Sequence, residues 1–122
     1  MGRAGGAVGR LEAAVNHLYS NLADGPGRID WREGSGGTVE IFDIHVDATH
    51  RRTGLGKSMV HTLMEKFPKG TLVWAITRTS NLIAQHFYES LRFRVVAVLR
   101  DFYAEGDCVD AVMYGRNVGS QS

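Results

Sequence analysis

Residues 51–58 read RRTGLGKS, and their types and spacing indicate a site for phosphate groups. The end of this stretch, Gly56-Lys57-Ser58, matches the end of the nucleotide-binding P-loop G-x-x-x-x-G-K-[ST]. That motif begins with a glycine, which lets the backbone wrap the β-phosphate, but here the position holds Arg51. No aspartate suited to Mg²⁺ ends a hydrophobic strand further along the sequence. A P-loop nucleotide binder is therefore disfavoured, and failure to bind ATP would exclude it.

The same residues fit a second pattern, R-x-x-G-x-G, formed by Arg51, Gly54 and Gly56. Between a strand and a helix, such a loop points backbone N–H groups at one spot, where the helix dipole favours an anion. The glycines let a diphosphate approach without a Cβ in the way, and Arg52 and Lys57 add positive charge. The pattern predicts a pyrophosphate site that needs no metal ion. The alternative is an ordinary glycine-rich connection between a strand and a helix.

Apolar periodicity and turn residues predict the elements that position this loop. In chain order they are a helix over 10–23, a short strand over 28–32, a hairpin turn over 34–37, a strand over 38–46, a helix over 55–67, a strand over 71–76, a helix capped by Ser80 or Asn81, and strands over 93–99 and 110–115 joined by a turn at 104–107. This order predicts an α/β (α+β) fold with a mixed central sheet. We expect one domain over residues 1–122, with residues 1–9 disordered.

Composition excludes several classes of function. The chain is 43% hydrophobic and 22% charged with a formal net charge of +1, so it lacks the basic stripe of a nucleic-acid or anionic-membrane binder. No apolar run approaches the roughly 20 residues of a membrane span. The single cysteine, Cys108, excludes a disulfide within the chain and favours a cytoplasmic location. Histidines and cysteine form no metal-ligand motif, so no metal site is predicted.

Three segments together resemble the GCN5-related N-acetyltransferase (GNAT) family. They are IFDIHVDATHRRTGLGKSMVHTLM, TRTSNLIAQHFYESLRF and LRDFYAEGDCVDAVMYGRN, the last being most similar to the branch that acetylates the N-terminal alanine of a ribosomal protein. The resemblance covers residues 38–118. It implies the GNAT fold, with a shortened N-terminal part, and direct transfer of an acetyl group from acetyl-CoA to a primary amine within a ternary complex.

The resemblance also implies which residues bind acetyl-CoA. The R-x-x-G-x-G loop corresponds to the family's pyrophosphate motif, and the strand before it splays from its neighbour so that its free backbone groups pair with the pantetheine arm. Asn81 would reach the coenzyme with its amide. The residues assigned to the coenzyme are Ile44, His45, Val46, Arg51, Arg52, Thr53, Gly54, Leu55, Gly56, Lys57, Ser58 and Asn81.

Two catalytic roles follow from the same resemblance. Tyr88 of FYES would protonate the departing sulfur, since a phenol with a pKa near 10 is protonated at neutral pH; the alternative is a tyrosine that only packs on the sheet. Glu40 opens the strand over 38–46, and we expect it to share a face with Phe42, Ile44 and Val46 and, on this apolar flank, to act as general base. The alternative is a solvent-exposed glutamate at the end of a strand.

The sequence departs from the family pattern at two positions. The ribosomal-alanine branch carries a base glutamate on the central strand, where this chain has Ile76, so either Glu40 takes that role through a water or no strong base exists. Arg92 stands where the family usually has glycine after ESL. A left-handed helix cap at a residue other than glycine costs about 1 kcal/mol.

The acceptor predicted by the resemblance is the α-amine of a protein or peptide N-terminus. Two alternatives stay open. The acceptor could be a small amine such as a polyamine, or the chain could be a coenzyme-A-binding module without catalysis. Residues 10–37 hold one predicted helix and one short strand, whereas the family has another strand and two helices in this region. A homodimer in which a second chain completes the sheet or the acceptor groove is therefore a further expectation.

Overall fold

The structure is a computed structural model that describes residues 18–103 and 109–119. This part of the chain forms one six-stranded sheet with two α-helices. The elements are β1 (Leu18–Asp24), β2 (Gly27–Gly34), β3 (Thr38–Val46), a 3₁₀ turn (Ala48–His50), α1 (Leu55–Met64), β4 (Leu72–Arg78), α2 (Leu82–Ser90), β5 (Arg94–Tyr103) and β6 (Val109–Asn117). The predicted mixed α/β sheet is confirmed.

The strands lie in the order β1-β2-β3-β4-β6-β5. Antiparallel pairs join β1 to β2 and β2 to β3, and another antiparallel set places β6 between β4 and β5. The two halves meet at β3 and β4, which run parallel and are connected through α1. Parallel strands need a crossover connection, which here runs through α1. The predicted phosphate loop lies at the start of this connection, at the carboxyl end of β3.

The helix predicted over residues 10–23 is wrong from Leu18 onward, because these residues form β1 and pair with β2. Residues 10–17 lie outside the described part, as do the predicted disorder at 1–9 and the turn at 104–107. Leu18 and Leu22 are four positions apart, and this spacing gives one face in a helix and also one face in a strand. The turn decides the outcome: Gly25 has φ +61°, so the chain folds back and Asp24 lies opposite Gly27.

Other predicted elements agree with the structure. The predicted strand over 38–46 has the bounds of β3, and the hairpin before it turns through Gly36 and Gly37, with φ values of +76° and +73°. Asn81 is the residue that caps α2. Among the described residues, no helix is both long and apolar enough to cross a lipid bilayer.

Both helices contribute to a single core on one face of the sheet. Apolar residues of α1 and α2 pack there against alternate residues of the strands. The fully buried side chains of this core include Ile29, Val39, Val60, Leu63, Val73 and Tyr114. The opposite face of β2 and β3 carries charged side chains, among them Arg28, Arg32 and Glu40.

Candidate functional site

The parallel strands β3 and β4 separate soon after they begin. They pair only from Thr38 to Glu40 on β3, against Leu72 to Trp74 on β4. Beyond that point β3 and β4 no longer pair with each other. Each continues to pair with its other neighbour, β3 with β2 and β4 with β6. The result is a wedge-shaped gap, bordered by residues 41–46 of β3 and residues 75–78 of β4. Strand edges that face such a gap offer backbone donors and acceptors to an extended ligand.

A β-bulge at Phe42 changes which residues of β3 face the core. Trp31 of β2 lies opposite Ile41, while its neighbour Asp30 lies opposite Asp43, so Phe42 is an extra residue on β3. The extra residue reverses the alternation that follows. The expectation that Glu40 shares a face with Ile44 and Val46 is therefore wrong: these two pack against the core, as Val39 and Ile41 do.

Glu40 lies in a charged environment instead of an apolar one. Its Oε1 atom accepts hydrogen bonds from Arg32 Nη2 at 2.8 Å and from Arg32 Nε at 3.0 Å. Both side chains are largely covered, with 12% of Glu40 and 16% of Arg32 exposed. A guanidinium held this closely stabilises the ionised carboxylate and competes with an incoming amine for its oxygens. The role of general base stays a prediction for Glu40, and of the apolar flank that motivated it only Phe42 lies nearby, with its ring centroid 4.3 Å from Arg32 Cζ.

The predicted anion loop has the backbone geometry that an anion site needs. Gly54 caps the N-terminus of α1 with φ +86°, and a Cβ at this position would have no atom within 4 Å. Ser58 N–H bonds to Gly54 O at 2.9 Å, so the N–H groups of the three residues before it belong to the first turn, which makes no bond within the helix. These groups and the helix dipole leave a position at Gly54 that suits a diphosphate.

Gly56 has a different role from the one expected. A Cβ built on Gly56 would lie 3.1 Å from Phe87 Cε1 and 3.8 Å from Val46 Cγ2. The missing side chain thus allows the first turn of α1 to pack closely against α2 and β3. Gly56 therefore serves the packing between the helices, and ligand access at Gly54 stays a prediction that the open space beside it allows.

The side chains around the loop are mostly exposed. Arg51 Nε donates to Val46 O at 3.3 Å, which ties the loop to the end of β3, and Thr53 Oγ1 donates to His50 O at 2.5 Å. Arg52 adopts φ +68° and is exposed, as is Lys57. These two exposed cations add positive charge around the first turn of α1.

Tyr88 is buried where α2 packs on the sheet, with 7% of the residue exposed. Its ring lies 5.3 Å from Phe93 and stacks on Tyr114 at 5.9 Å, measured between ring centroids. Burial raises the pKa of the Tyr88 hydroxyl above its usual value, and the negative charge of Asp43 raises it further. The phenol is therefore held in the protonated form that a proton donor needs, and the influence of Asp43 connects it electrostatically with β3 at the gap.

A second tyrosine supports the position of Tyr88. Tyr114 of β6 is 1% exposed, and its hydroxyl donates to Glu89 Oε2 at 2.9 Å. Burial, followed by the hydrogen bond and the charge of Glu89, raises the pKa of Tyr114 to about 12. This bond holds α2 against β6 directly beside the Tyr88 ring.

The two ends of α2 are fixed by side-chain contacts. Asn81 Oδ1 accepts from Ala84 N–H at 3.1 Å, so its oxygen serves as the helix cap and only its amide nitrogen is left to donate to a ligand. Gln85 Nε2 donates to the carbonyls of Arg78 and Thr79 at 3.1 and 2.8 Å, which secures the end of β4. At the other end, Arg92 has φ +67°, so the left-handed cap considered from the sequence is confirmed.

Several residues of this region were not predicted. Arg32, Asp43, Gln85 and Tyr114 take part in it through contacts between distant parts of the chain. The alternation of β2 could have placed Arg32 opposite Glu40, had the strand register been known. Asp43 could not be found that way, because the bulge at Phe42 determines its face.

Comparisons with known proteins agree with the resemblance seen in the sequence. Residues 13–93 match the acetyltransferase (GNAT) family. The [ribosomal protein bS18]-alanine N-acetyltransferase of Escherichia coli K12 is 33% identical over 69 residues, which are 55% of this chain and 47% of that protein. The N-alpha-acetyltransferase of Sulfurisphaera tokodaii is 28% identical over 106 residues, or 84% of this chain and 59% of that one.

A solved structure supports the same grouping. The crystal structure of the ribosomal-protein-S18-alanine N-acetyltransferase from Escherichia coli superimposes with a TM-score of 0.67 at 26% identity, and the match covers 85% of this chain and 72% of that one. The chain spans about half the length of the curated bS18-alanine relatives it matches.

Proposed function

The chain belongs to the acetyltransferase (GNAT) family, and we propose that it transfers an acetyl group from acetyl-CoA to a primary amine. The observation that carries this proposal is the gap between β3 and β4, which has a helix N-terminus suited to an anion at the carboxyl end of β3 and lies within the electrostatic influence of a buried tyrosine. Diphosphate recognition, an edge for an extended arm and a proton donor are what transfer from a thioester of coenzyme A requires.

The residues present suit acetyl-CoA. The first turn of α1 would hold the diphosphate, since Gly54 leaves room for it and the flanking Arg52 and Lys57 are exposed. The backbone of Ile44–Val46 on the open edge of β3 would pair with the pantetheine arm. Asn81 would contribute its amide nitrogen. Each of these assignments can be tested separately by a substitution.

Tyr88 supplies the acid in the proposed reaction. The acceptor nitrogen, in its neutral form, bonds to the acetyl carbon while the bond from that carbon to sulfur breaks. The sulfur takes the hydroxyl proton of Tyr88, and the phenolate regains a proton from the acceptor nitrogen, which leaves an amide and a free thiol. The raised pKa of Tyr88 favours its return to the protonated state after each turnover.

A peptide α-amine is the acceptor that we propose. At pH 7 an α-amine with a pKa of about 7.7–8.0 is neutral in roughly a tenth of molecules, whereas a lysine with a pKa near 10.4 is neutral in about 0.04%. The central strand has Ile76 rather than a carboxylate, and Glu40 is bound to Arg32. A site without an available general base is best matched to an amine that is often neutral at pH 7, which is the α-amine.

Turnover with acetyl-CoA tests the proposal against its alternatives. Thiol release should require a peptide with a free N-terminus and should be much slower with an N-blocked lysine peptide. Faster turnover of a polyamine would assign the chain to small amines, and binding of acetyl-CoA without turnover of any amine would identify a coenzyme-A-binding module. Light scattering tests the predicted homodimer. We retain the cytoplasm as the expected compartment, because one cysteine excludes a disulfide within the chain.

A further inference from the structure

Asp43 has an unusual position at the edge of the gap. It is the first residue after the bulge at Phe42 and lies on the part of β3 that no longer pairs with β4. The bulge turns Asp43 to the sheet face opposite α1 and α2, the face that also carries Glu40, and 61% of its side chain is exposed. The carboxylate therefore lies beside the gap and is exposed to solvent.

The charge of Asp43 is only loosely compensated. Its Oδ2 lies 3.7 Å from Arg28 Nη2, and the same guanidinium approaches Asp30 more closely, with Nε 3.3 Å from Oδ2. Glu40 differs, because Arg32 holds it at 2.8 Å in a largely covered pair. Arg28 is thus shared between two carboxylates and lies farther from Asp43, so the Asp43 carboxylate can still attract a cation.

Asp43 also acts on the proposed acid. Its charge raises the pKa of Tyr88, although the two residues belong to different elements, β3 and α2. The carboxylate on β3 and the phenol on α2 are therefore close enough to interact electrostatically.

We propose that Asp43 receives the ammonium group of the acceptor and so selects substrates with a free, positively charged amine. This inference rests on the proposed acetyl transfer and adds the residue that recognises its second substrate. The ammonium docks against the carboxylate and gives a proton to solvent, and the neutral amine then attacks. The attacking nitrogen becomes positively charged again as its bond to the acetyl carbon forms, so the carboxylate stabilises the bound ammonium and the transition state alike; such uniform binding lowers KM and leaves kcat unchanged.

Asp43→Asn tests the proposal, with Asp43→Glu as the charge-retaining variant and Glu65→Gln as a matched control on an exposed carboxylate at the end of α1. For a short peptide with a free N-terminus, Asp43→Asn should raise KM about 5-fold, the size of one solvent-exposed ion pair, and leave kcat and acetyl-CoA affinity unchanged. Asp43→Glu should recover most of the affinity, Glu65→Gln should change nothing, and the effect should shrink at 1 M salt.

Equilibrium binding separates this inference from the proposed function. Calorimetry of the same peptide in the presence of coenzyme A should show weaker binding to Asp43→Asn, while binding of an N-acetylated peptide should not change. If no amine is turned over but this pattern holds, the proposed function fails and the recognition role stands. Equal KM and Kd in wild type and Asp43→Asn, an equal effect of Glu65→Gln, or no binding of the free peptide at all would overturn the role of Asp43.

Discussion

Replacing Tyr88 by phenylalanine removes one hydroxyl from the centre of the proposed site. The ring keeps its packing against Phe93 and its stacking on Tyr114, and the bond between Tyr114 and Glu89 that supports them is untouched. We therefore expect a folded protein whose thermal midpoint changes by a few degrees at most, the shift that corresponds to about 1 kcal/mol or less. Acetyl-CoA affinity should be nearly unchanged, because no assigned coenzyme contact is altered.

The catalytic effect of Tyr88→Phe can be bounded. A positioned general acid contributes about 10²–10⁴-fold to a rate. The leaving group here is a thiol, and a thiol with a pKa near that of cysteine, about 8.5, needs less help than an alcohol. We therefore expect the low end, a loss in kcat of about 10²-fold, which corresponds to about 2.7 kcal/mol. Steady-state release of free thiol, measured at saturating acetyl-CoA and acceptor, gives this number directly.

The pH profile adds a second measurement on Tyr88. A raised pKa means that the phenol stays protonated as the pH rises past 10, so wild-type kcat should show no fall from loss of this proton below that pH. Tyr103→Phe, which removes a hydroxyl from a half-buried tyrosine on β5, serves as the matched control and should retain activity. A Tyr88→Phe protein that turns over within 2-fold of wild type would return Tyr88 to a packing role.

Three further predictions follow from the same geometry. Ser58→Asp should weaken acetyl-CoA binding at least about 10-fold by calorimetry, because it adds a negative charge where the diphosphate would bind, while Thr62→Asp further along α1 should not. Arg92→Gly should raise the free energy of unfolding by up to about 1 kcal/mol in urea, since glycine adopts φ +67° without strain; an unchanged midpoint would contradict this. Gly56→Ala should lower the thermal midpoint by an amount equivalent to about 1 kcal/mol or more, and Phe87→Leu in the same protein should recover part of it.

Much of the fold follows from local signals in the sequence. The bounds of β3 were predicted because its apolar residues lie between a glycine turn and the R-x-x-G-x-G loop, and α1 was predicted because its apolar residues recur at helical spacing. The prediction failed where one spacing suits two structures. Leu18 and Leu22 fit a helix and a strand equally well, and only the pairing of β1 with β2 selects the strand.

The site was predicted less completely than the fold, for a physical reason. The anion loop and Tyr88 lie within continuous motifs, so their positions could be carried over from the family pattern. Glu40 and Asp43 depend on strand register, which no local pattern near them specifies. The ion pair of Glu40 with Arg32 joins two strands, and the face of Asp43 depends on one inserted residue.

The bulge at Phe42 links these features to each other. A bulge bends its strand and increases the local twist, and here it lies two residues after Glu40, the last residue of β3 that pairs with β4. The residue that reverses the alternation of β3 therefore lies where the strand turns away from its parallel neighbour. Before the bulge, Glu40 is held by Arg32 within a continuous sheet; after it, Asp43 is exposed beside an open edge. The inserted residue lies beside the opening of the gap, and it accounts for the packing of Ile44 and Val46 on the core and for the face on which Asp43 is exposed.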